Sequence, residues 1–98
     1  MFSTQMAKRV ASVLFINRLS FYTTTTKLEK LFSPFGSIEE VRLIKDPRTQ
    51  RPKGFGFVKF SSEIDAQNAL KSMNCRIVDG RLIFVEFAKS TKLDNTTS

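Results

Sequence analysis

The chain of 98 residues has no histidine, no tryptophan and only one cysteine, Cys75. A single cysteine cannot form an intramolecular disulfide, and a zinc site of the usual Cys/His type cannot be built without histidine. The absence of histidine also removes the most common general base and the usual partner of a catalytic Ser or Cys. We therefore expect no metal site, no cofactor and no catalytic residue, and a reducing intracellular compartment.

Long apolar runs are also missing, and none approaches the roughly 20 residues that a membrane-spanning helix requires. Acidic residues are absent from residues 1–28, which contain four basic residues and many Ser and Thr. This composition is typical of mitochondrial and chloroplast transit peptides. Organelle targeting is therefore one hypothesis, although the first predicted strand begins near Val10 and leaves few residues for a removable segment.

The composition is basic and rich in one aromatic residue. Sixteen Lys and Arg against nine Asp and Glu give a net charge of +7, and the chain has ten Phe but one Tyr. A charge of this sign favours a polyanionic partner, either nucleic acid or an anionic membrane surface, and solubility alone explains it equally well. The length suits one domain with one core, and ten Phe exceed what that core needs, so we expect some of them on a working surface.

The spacing of apolar residues predicts four strands and two helices in the order βαββαβ. The predicted strands are at 10–16, 38–45, 54–60 and 82–88. The first helix is capped by one of Thr23 to Thr25 and closed by Pro34 with Gly36; the second is capped by Ser61 or Ser62 and includes Met73. This order is that of an α+β, ferredoxin-like two-layer sandwich, in which two helices cover one face of a four-stranded antiparallel sheet. We expect the domain to span residues 10–89, between a flexible lead at 1–9 and a flexible tail at 90–98.

Side-chain alternation divides the third predicted strand into two faces. One parity holds Lys53, Phe55, Phe57 and Lys59, and the other holds Gly54, Gly56, Val58 and Phe60. We assign the second parity to the core, because the first would bury two charges. Both glycines would let a helix or a ligand approach the strand closely. The predicted core residues are Leu14, Ile16, Leu28, Leu31, Phe32, Phe35, Val41, Leu43, Val58, Phe60, Ala69, Leu70, Ile83 and Val85.

The uncovered face of the sheet therefore carries phenylalanines beside lysines. The same alternation in the first strand leaves Phe15 and Asn17 outward. Exposed Phe side chains reduce solubility, so this arrangement requires an explanation, and single-stranded nucleic acid provides one. An unpaired base stacks on an aromatic ring with a gain of roughly 1–3 kcal/mol per base. Neighbouring Lys and Arg would neutralise phosphates, a salt-sensitive contribution.

Residues 53–60 read Lys-Gly-Phe-Gly-Phe-Val-Lys-Phe and match the ribonucleoprotein octapeptide at every position. Residues 14–19 are similar to the companion hexapeptide, and the chain thus resembles the RNA-recognition motif family over residues 11–90. The resemblance implies that the first and third strands are central and antiparallel. It also implies that Phe15 and Phe57 stack bases, that Phe55 contacts ribose and that Lys53 meets a phosphate. The hexapeptide often has Gly-Asn where this chain has Asn17-Arg18. Arg18 either adds a contact at the strand end or is solvated, and the second alternative is slightly favoured.

Several further residues are expected to contact RNA. Arg48 and Arg51 lie in the predicted loop beside the binding face, where a phosphate clamp is favoured over a merely solvated hairpin. Phe84 has outward parity and either extends the stacking face or is shielded by the tail. The complete predicted RNA-binding set is Phe15, Asn17, Arg42, Lys53, Phe55, Phe57, Lys59, Phe84, Arg48, Arg51 and Lys89.

Other functions remain open. A protein-binding relative of this fold would dock a peptide on the sheet or the helices, but such domains usually lose the stacking aromatics. An acylphosphatase-like enzyme would need a phosphate-cradling loop after the first strand, and residues 17–21 lack the glycine-rich nest that such a loop uses. Single-stranded DNA is a third alternative, since stacking does not depend on the 2′-hydroxyl.

The resemblance also extends to short plant organelle RNA-binding proteins, especially at residues 79–89. It implies a role in RNA processing, including RNA editing. Together with the acid-free N-terminal stretch, it leads us to predict a mitochondrial location, with the nucleus or cytoplasm as the alternative. We expect a monomer whose partner is single-stranded RNA, with room for a protein partner on the helical face and no association with membranes.

Overall fold

The computed structural model describes residues 10–88 of the chain. The main strands are β1 (Val10–Asn17), β2 (Ile38–Lys45), β3 (Pro52–Phe60) and β6 (Phe84–Ala88); the helices are α1 (Thr25–Phe32) and α2 (Glu63–Met73); a short hairpin comprises β4 (Ile77–Val78) and β5 (Arg81–Leu82). The main sheet is antiparallel in the order β2-β3-β1-β6. The predicted fold class is confirmed, with β1 and β3 in the centre. The predicted lead at 1–9, the tail at 90–98 and Lys89 lie outside the described residues.

The predicted start of the last strand, at residue 82, is wrong. The turn at Asp79 and Gly80, whose φ angles are +51° and +83°, pairs Arg81–Leu82 with Ile77–Val78 instead of with the main sheet. Ile83 then separates β5 from β6. Its backbone N–H donates to the carbonyl of Arg76 at 2.9 Å, and its carbonyl accepts from the N–H of Cys75 at 3.0 Å. The backbone of Ile83 is therefore already paired, and the main strand begins one residue later, at Phe84.

Side-chain caps determine where the two helices begin. The hydroxyl of Thr24 accepts a hydrogen bond from the N–H of Lys27 at 3.1 Å, and that of Ser62 accepts from the N–H of Asp65 at 3.4 Å. These bonds satisfy backbone donors that a helix start leaves unpaired. After α2, the side-chain oxygen of Asn74 accepts from the N–H of Val85 at 2.8 Å, which ties the end of the helix to β6.

The core lies between the helices and one face of the sheet. Every predicted core residue is either buried in it or packs against it. The buried members are Leu14, Ile16, Leu28, Phe32, Val58, Phe60, Ala69, Ile83 and Val85. The prediction missed Leu19, Ala66, Met73 and Val78, which are also buried. Ile64 is exposed on α2, and both helices contribute to the same core, so the opposite sheet face carries no helix of the described chain.

Gly56 is required by its neighbour strand and not by a helix. A Cβ at this position would collide with the backbone carbonyl oxygen of Arg42 on β2 and would lie 3.1 Å from the side chain of Leu43. Gly54 has a φ of +90°, a conformation that residues with a Cβ rarely adopt, and it marks an irregular beginning of β3. The predicted close approach of a helix at these glycines is therefore wrong. Backbone of β2 comes close at Gly56, and the Cβ position of Gly54 has ordinary contacts with the loop after β1.

Candidate nucleic-acid interface

Three phenylalanines form a cluster in the centre of the open sheet face. Phe15 lies directly opposite Phe57 across the β1–β3 pair, with ring centroids 5.3 Å apart and ring planes tilted by 46°. The Phe55 ring lies 5.6 Å from that of Phe15, tilted by 53°. All three rings are half-buried, whereas Val58 and Phe60 of the other parity are buried. The alternation expected from the sequence thus holds from Phe55 to Phe60. We call Phe15, Phe55 and Phe57 the aromatic cluster.

The strand register arranges the open face in rows, because directly opposed residues of antiparallel strands place their side chains on the same face. The first row, nearest the β2–β3 loop, contains Phe84, Asn17 and Phe55. The central row contains Glu86, Phe15, Phe57 and Arg42. The third row contains Val13, Lys59 and Glu40. The structure thus brings together on one face Asn17, Arg42, Lys59 and Phe84 with the aromatic cluster.

Two of the predicted phosphate-binding residues are paired with carboxylates. Nζ of Lys59 lies 3.5 Å from Oε1 of Glu39, and Nε of Arg42 lies 3.7 Å from Oε2 of Glu40. Both pairs are exposed, so each contributes little to stability. Their carboxylates nevertheless offset the positive charge in this part of the face. These two pairings could not be predicted from the sequence, because strand periodicity does not place Glu39 and Glu40 beside the two cations.

Unpaired positive charge is concentrated at the opposite end of the sheet, in and beside the β2–β3 loop. Within residues 10–88, no carboxylate lies within 4.0 Å of a charged nitrogen of these side chains. They are Lys45, Arg48, Arg51 and Lys53, and we call them the loop cations. Because Gly54 interrupts the regular strand, simple alternation does not determine the direction of the Lys53 side chain.

The loop is held by Asp46, which organises the backbone between the loop cations. Its carboxylate accepts the N–H groups of Arg48 at 2.8 Å and Thr49 at 3.2 Å. These hydrogen bonds, together with the charge of Lys53, lower the pKa of Asp46. The backbone N–H of Asp46 also donates to the carbonyl of Arg51 at 2.8 Å, which closes the loop. The loop therefore presents its cations from a defined backbone.

Arg18 is exposed, as expected, and it also contacts Phe84. Its guanidinium carbon lies 5.8 Å from the centroid of the Phe84 ring, within the range of a cation–π interaction. Arg18 has a φ of +64°, and its N–H donates to Oδ1 of Asn17 at 2.8 Å. Phe84 is 40% exposed. The alternative that the tail shields Phe84 concerns residues 90–98, which lie outside the described residues.

Two aromatic residues near this end of the sheet were not predicted as site residues. Phe21 and Tyr22, in the loop between β1 and α1, are 61% and 88% exposed. Cε1 of Phe21 lies 3.5 Å from the position that a Cβ on Gly54 would occupy. The signal that could have revealed them is a pair of adjacent aromatics in an otherwise hydroxyl-rich segment. Glu86 also lies on this face, opposite Phe15, and was not among the predicted residues, although strand parity places it outward with Phe84.

Two further features are absent from the described part of the chain. No helix among residues 10–88 is long and apolar enough to cross a membrane. The same residues contain no group of His, Cys, Asp and Glu side chains that could hold a metal ion.

Comparison with known proteins identifies the family. The model of the RNA recognition motif family matches residues 14–84. Small RNA-binding protein 11, chloroplastic, from Arabidopsis thaliana is 47% identical over 81 residues, which are 83% of this chain and 56% of that protein. Organelle RRM domain-containing protein 1, chloroplastic, from Zea mays is 42% identical over 81 residues, 83% of this chain and 20% of that protein.

A solved Sxl-lethal protein/RNA complex superposes with a TM-score of 0.77 at 33% identity, covering 80% of this chain and 47% of that one. The chain thus spans 56% and 20% of the lengths of the two curated relatives. The family match covers most of the chain and includes the octapeptide, the hexapeptide and residues from all four strands of the main sheet. This chain belongs to the RNA recognition motif family.

Proposed function

We propose that this chain binds single-stranded RNA on the open face of its sheet. The observation that carries the proposal is the aromatic cluster: Phe15 lies within 5.6 Å of two further Phe rings on a face that neither described helix covers. Apolar rings on a face outside the core reduce solubility, but each provides a flat surface for an unpaired base. Family membership and the likeness to a protein/RNA complex support the same function.

We take the roles of the aromatic residues from the family resemblance. Phe15 and Phe57 each stack a base, and Phe55, the member of the aromatic cluster in the row nearest the β2–β3 loop, packs against a ribose. Phe84 extends the stacking surface toward β6, with Arg18 held over its ring. Asn17 lies between Phe55 and Phe84 in the first row and offers its amide to a base edge.

Phosphates are bound chiefly by the loop cations. Arg48, Arg51 and Lys53 have no carboxylate partner within the described residues, so phosphates do not have to displace one. Arg42 and Lys59 contribute less. To bind a phosphate, Arg42 would have to give up its ion pair with Glu40, and Lys59 its ion pair with Glu39. We keep Lys89, outside the described residues, as a further phosphate contact, in a domain that extends over residues 10–89.

The domain acts by binding and not by catalysis. Its open face combines stacking rings with cations, and the acylphosphatase-like alternative finds no support in the family match. We propose a role in RNA processing within an organelle. The two curated relatives are named as chloroplastic, which favours the chloroplast over the mitochondrion that the sequence alone led us to predict. Microscopy of the full-length natural protein fused to a fluorescent reporter, with markers for both organelles, would distinguish the two.

The test of RNA binding is a fluorescence-anisotropy titration of short random-sequence RNA and of matching DNA at two salt concentrations. Wild type is compared with Phe15→Ala/Phe57→Ala and with Ile64→Ala, which removes an exposed apolar side chain from α2. We expect salt-sensitive RNA binding that the double variant loses and the control keeps. The ratio of RNA to DNA affinity measures selectivity for the 2′-hydroxyl. Absence of RNA binding by folded wild type would overturn the proposal and favour a protein partner.

A further inference from the structure

We propose that Glu86 selects the base that stacks on Phe15, by accepting a hydrogen bond from an exocyclic amino group. Adenine, cytosine and guanine are then favoured at this position, and uracil is disfavoured. The inference rests on the proposed function, because it concerns a base bound to the aromatic cluster. It adds a specificity-determining residue that the octapeptide and the hexapeptide do not contain.

The position of Glu86 follows from the strand register. It lies directly opposite Phe15 across the β1–β6 pair, on the open face of the sheet. Side chains at opposed positions have Cβ atoms about 4.5–5.5 Å apart. A base stacked on the Phe15 ring therefore extends within reach of the flexible Glu86 carboxylate.

Among the described residues, Glu86 is also the carboxylate of this face that has no cation beside it. Glu39 and Glu40 each have a cation within 4.0 Å, whereas no Lys or Arg among residues 10–88 lies that close to Glu86. The Glu86 side chain is exposed. Its oxygens are therefore available to a ligand without the loss of an ion pair within residues 10–88.

The other neighbours of Phe15 leave Glu86 as the acceptor for this base. Toward β3, the ring is flanked by Phe57 at 5.3 Å and Phe55 at 5.6 Å, which have no polar side-chain atoms. Along β1, the side-chain oxygen of Asn17 accepts the N–H of Arg18 and is uncharged, so it is a weaker acceptor than the Glu86 carboxylate. A base on Phe15 thus meets apolar rings on one flank and a carboxylate on the other.

The chemistry of a carboxylate then decides which bases fit. An ionised carboxylate accepts hydrogen bonds and cannot donate them. Adenine, cytosine and guanine carry exocyclic amino groups that donate, whereas uracil carries carbonyl oxygens at its edge. The one N–H on the pairing edge of uracil lies between two carbonyl oxygens, which the carboxylate repels. A well-placed pair of this kind discriminates by about tenfold or more in affinity.

The experiment begins by sequencing short RNAs bound by wild type from a random pool. The best sequence is then titrated alongside variants that carry a single uridine at each position in turn. The same titrations use Glu86→Gln, whose amide can donate to a uracil carbonyl, and Glu29→Gln, which removes an exposed charge from α1. We expect one position where uridine weakens wild-type binding about tenfold, and a loss of about twofold or less there in Glu86→Gln. Glu29→Gln should retain the wild-type pattern.

A second arm assigns the effect to the Phe15 site. In a Phe15→Ala background, Glu86→Gln should change the uridine preference much less than it does in wild type, because the stacked base is no longer held there. Equal tightening of all RNAs by Glu86→Gln and Glu29→Gln would overturn the inference, since it would show an effect of charge alone. An unchanged uridine preference in Glu86→Gln would overturn it as well. Failure of folded wild type to retain any RNA would instead overturn the proposed function.

Discussion

Phe15 and Phe57 lie directly opposite each other on the two central strands, with their ring centroids 5.3 Å apart. Each side chain is flanked within its strand by residues of the other parity that are fully buried, such as Leu14 and Val58. The same strands thus supply the core on one face and the aromatic cluster on the other. Binding and stability can therefore be changed separately by substitutions only a few residues apart.

Phe57→Ala should weaken RNA binding, whereas Phe60→Ala should destabilise the fold. Phe57→Ala removes a stacking surface, and we expect RNA affinity to fall by roughly 1–3 kcal/mol with little loss of stability. Phe60→Ala opens a cavity in the core and should lower the free energy of unfolding by about 3–5 kcal/mol. Anisotropy titrations and urea unfolding of both variants provide the measurements. Unfolding caused by Phe57→Ala but not by Phe60→Ala would show that the assigned faces are reversed.

Gly56→Ala should destabilise the sheet even though alanine is small. Its Cβ would run into the carbonyl oxygen of Arg42, so β2 and β3 would have to move apart. We expect a cost of about 1–3 kcal/mol, as for other overpacked sites, measured by urea unfolding. Gly80→Asn is the matched control, because no atom lies within 4 Å of its Cβ position and asparagine tolerates positive φ. A variant at Gly56 as stable as the control would contradict this steric account.

The loop cations should dominate the salt dependence of binding. Arg51→Ala removes a cation without a carboxylate partner among the described residues, whereas Lys59→Ala removes one that is paired with Glu39. We expect Arg51→Ala to weaken binding of all RNA sequences alike and to reduce the slope of log affinity against log salt by about 0.7. The slope should change less in Lys59→Ala. Equal slopes in the two variants would show that the ion pair with Glu39 is irrelevant to binding.

Asp79 should contribute stability that is lost in acid. The Thr23 hydroxyl donates to Oδ2 of Asp79 at 2.7 Å, and Nζ of Lys27 lies 3.3 Å from Oδ1. The hydrogen bond from Thr23, assisted by Lys27, lowers the pKa of Asp79 below its usual value of 3.8. A lowered folded-state pKa stabilises the fold above the unfolded pKa, and this contribution disappears as the pH falls through the folded value.

The measurement is urea unfolding of wild type and Asp79→Asn across the acid range. The stability difference between them should be present near neutral pH and shrink as the pH falls below 3.8. Thr23→Val removes the hydrogen-bond donor, so Asp79→Asn should cost less stability in a Thr23→Val background than in wild type. A difference that is independent of pH would contradict the role assigned to the carboxylate.

The fold and the aromatic cluster were predictable because they depend on local patterns. Strand alternation in residues 55–60 and at Phe15 determines which side chains point away from the core. The helical spacing of Leu28 and Phe32 determines which face of α1 is buried. The family resemblance then placed the first and third strands side by side. These features require no knowledge of how distant side chains meet.

The charge interactions of the site were less predictable, because they depend on contacts between side chains that are distant in sequence. Lys59 contacts Glu39 next to an irregularity in the β2–β3 register, between Ile38 and Glu40. Arg18 reaches Phe84, which is far from it in sequence. The hairpin that precedes β6 likewise depends on the backbone of Ile83 pairing with residues just after α2. None of these contacts produces a periodic pattern in the sequence.

The position of the loop cations also has a consequence for the order in which RNA is expected to make its contacts. Electrostatic attraction extends over about 8 Å at physiological ionic strength, farther than any contact made by a ring. We therefore expect a strand of RNA to be captured first at the β2–β3 loop and to settle its bases on the rings afterwards. Added salt should then slow association, whereas loss of a ring should shorten the lifetime of the complex.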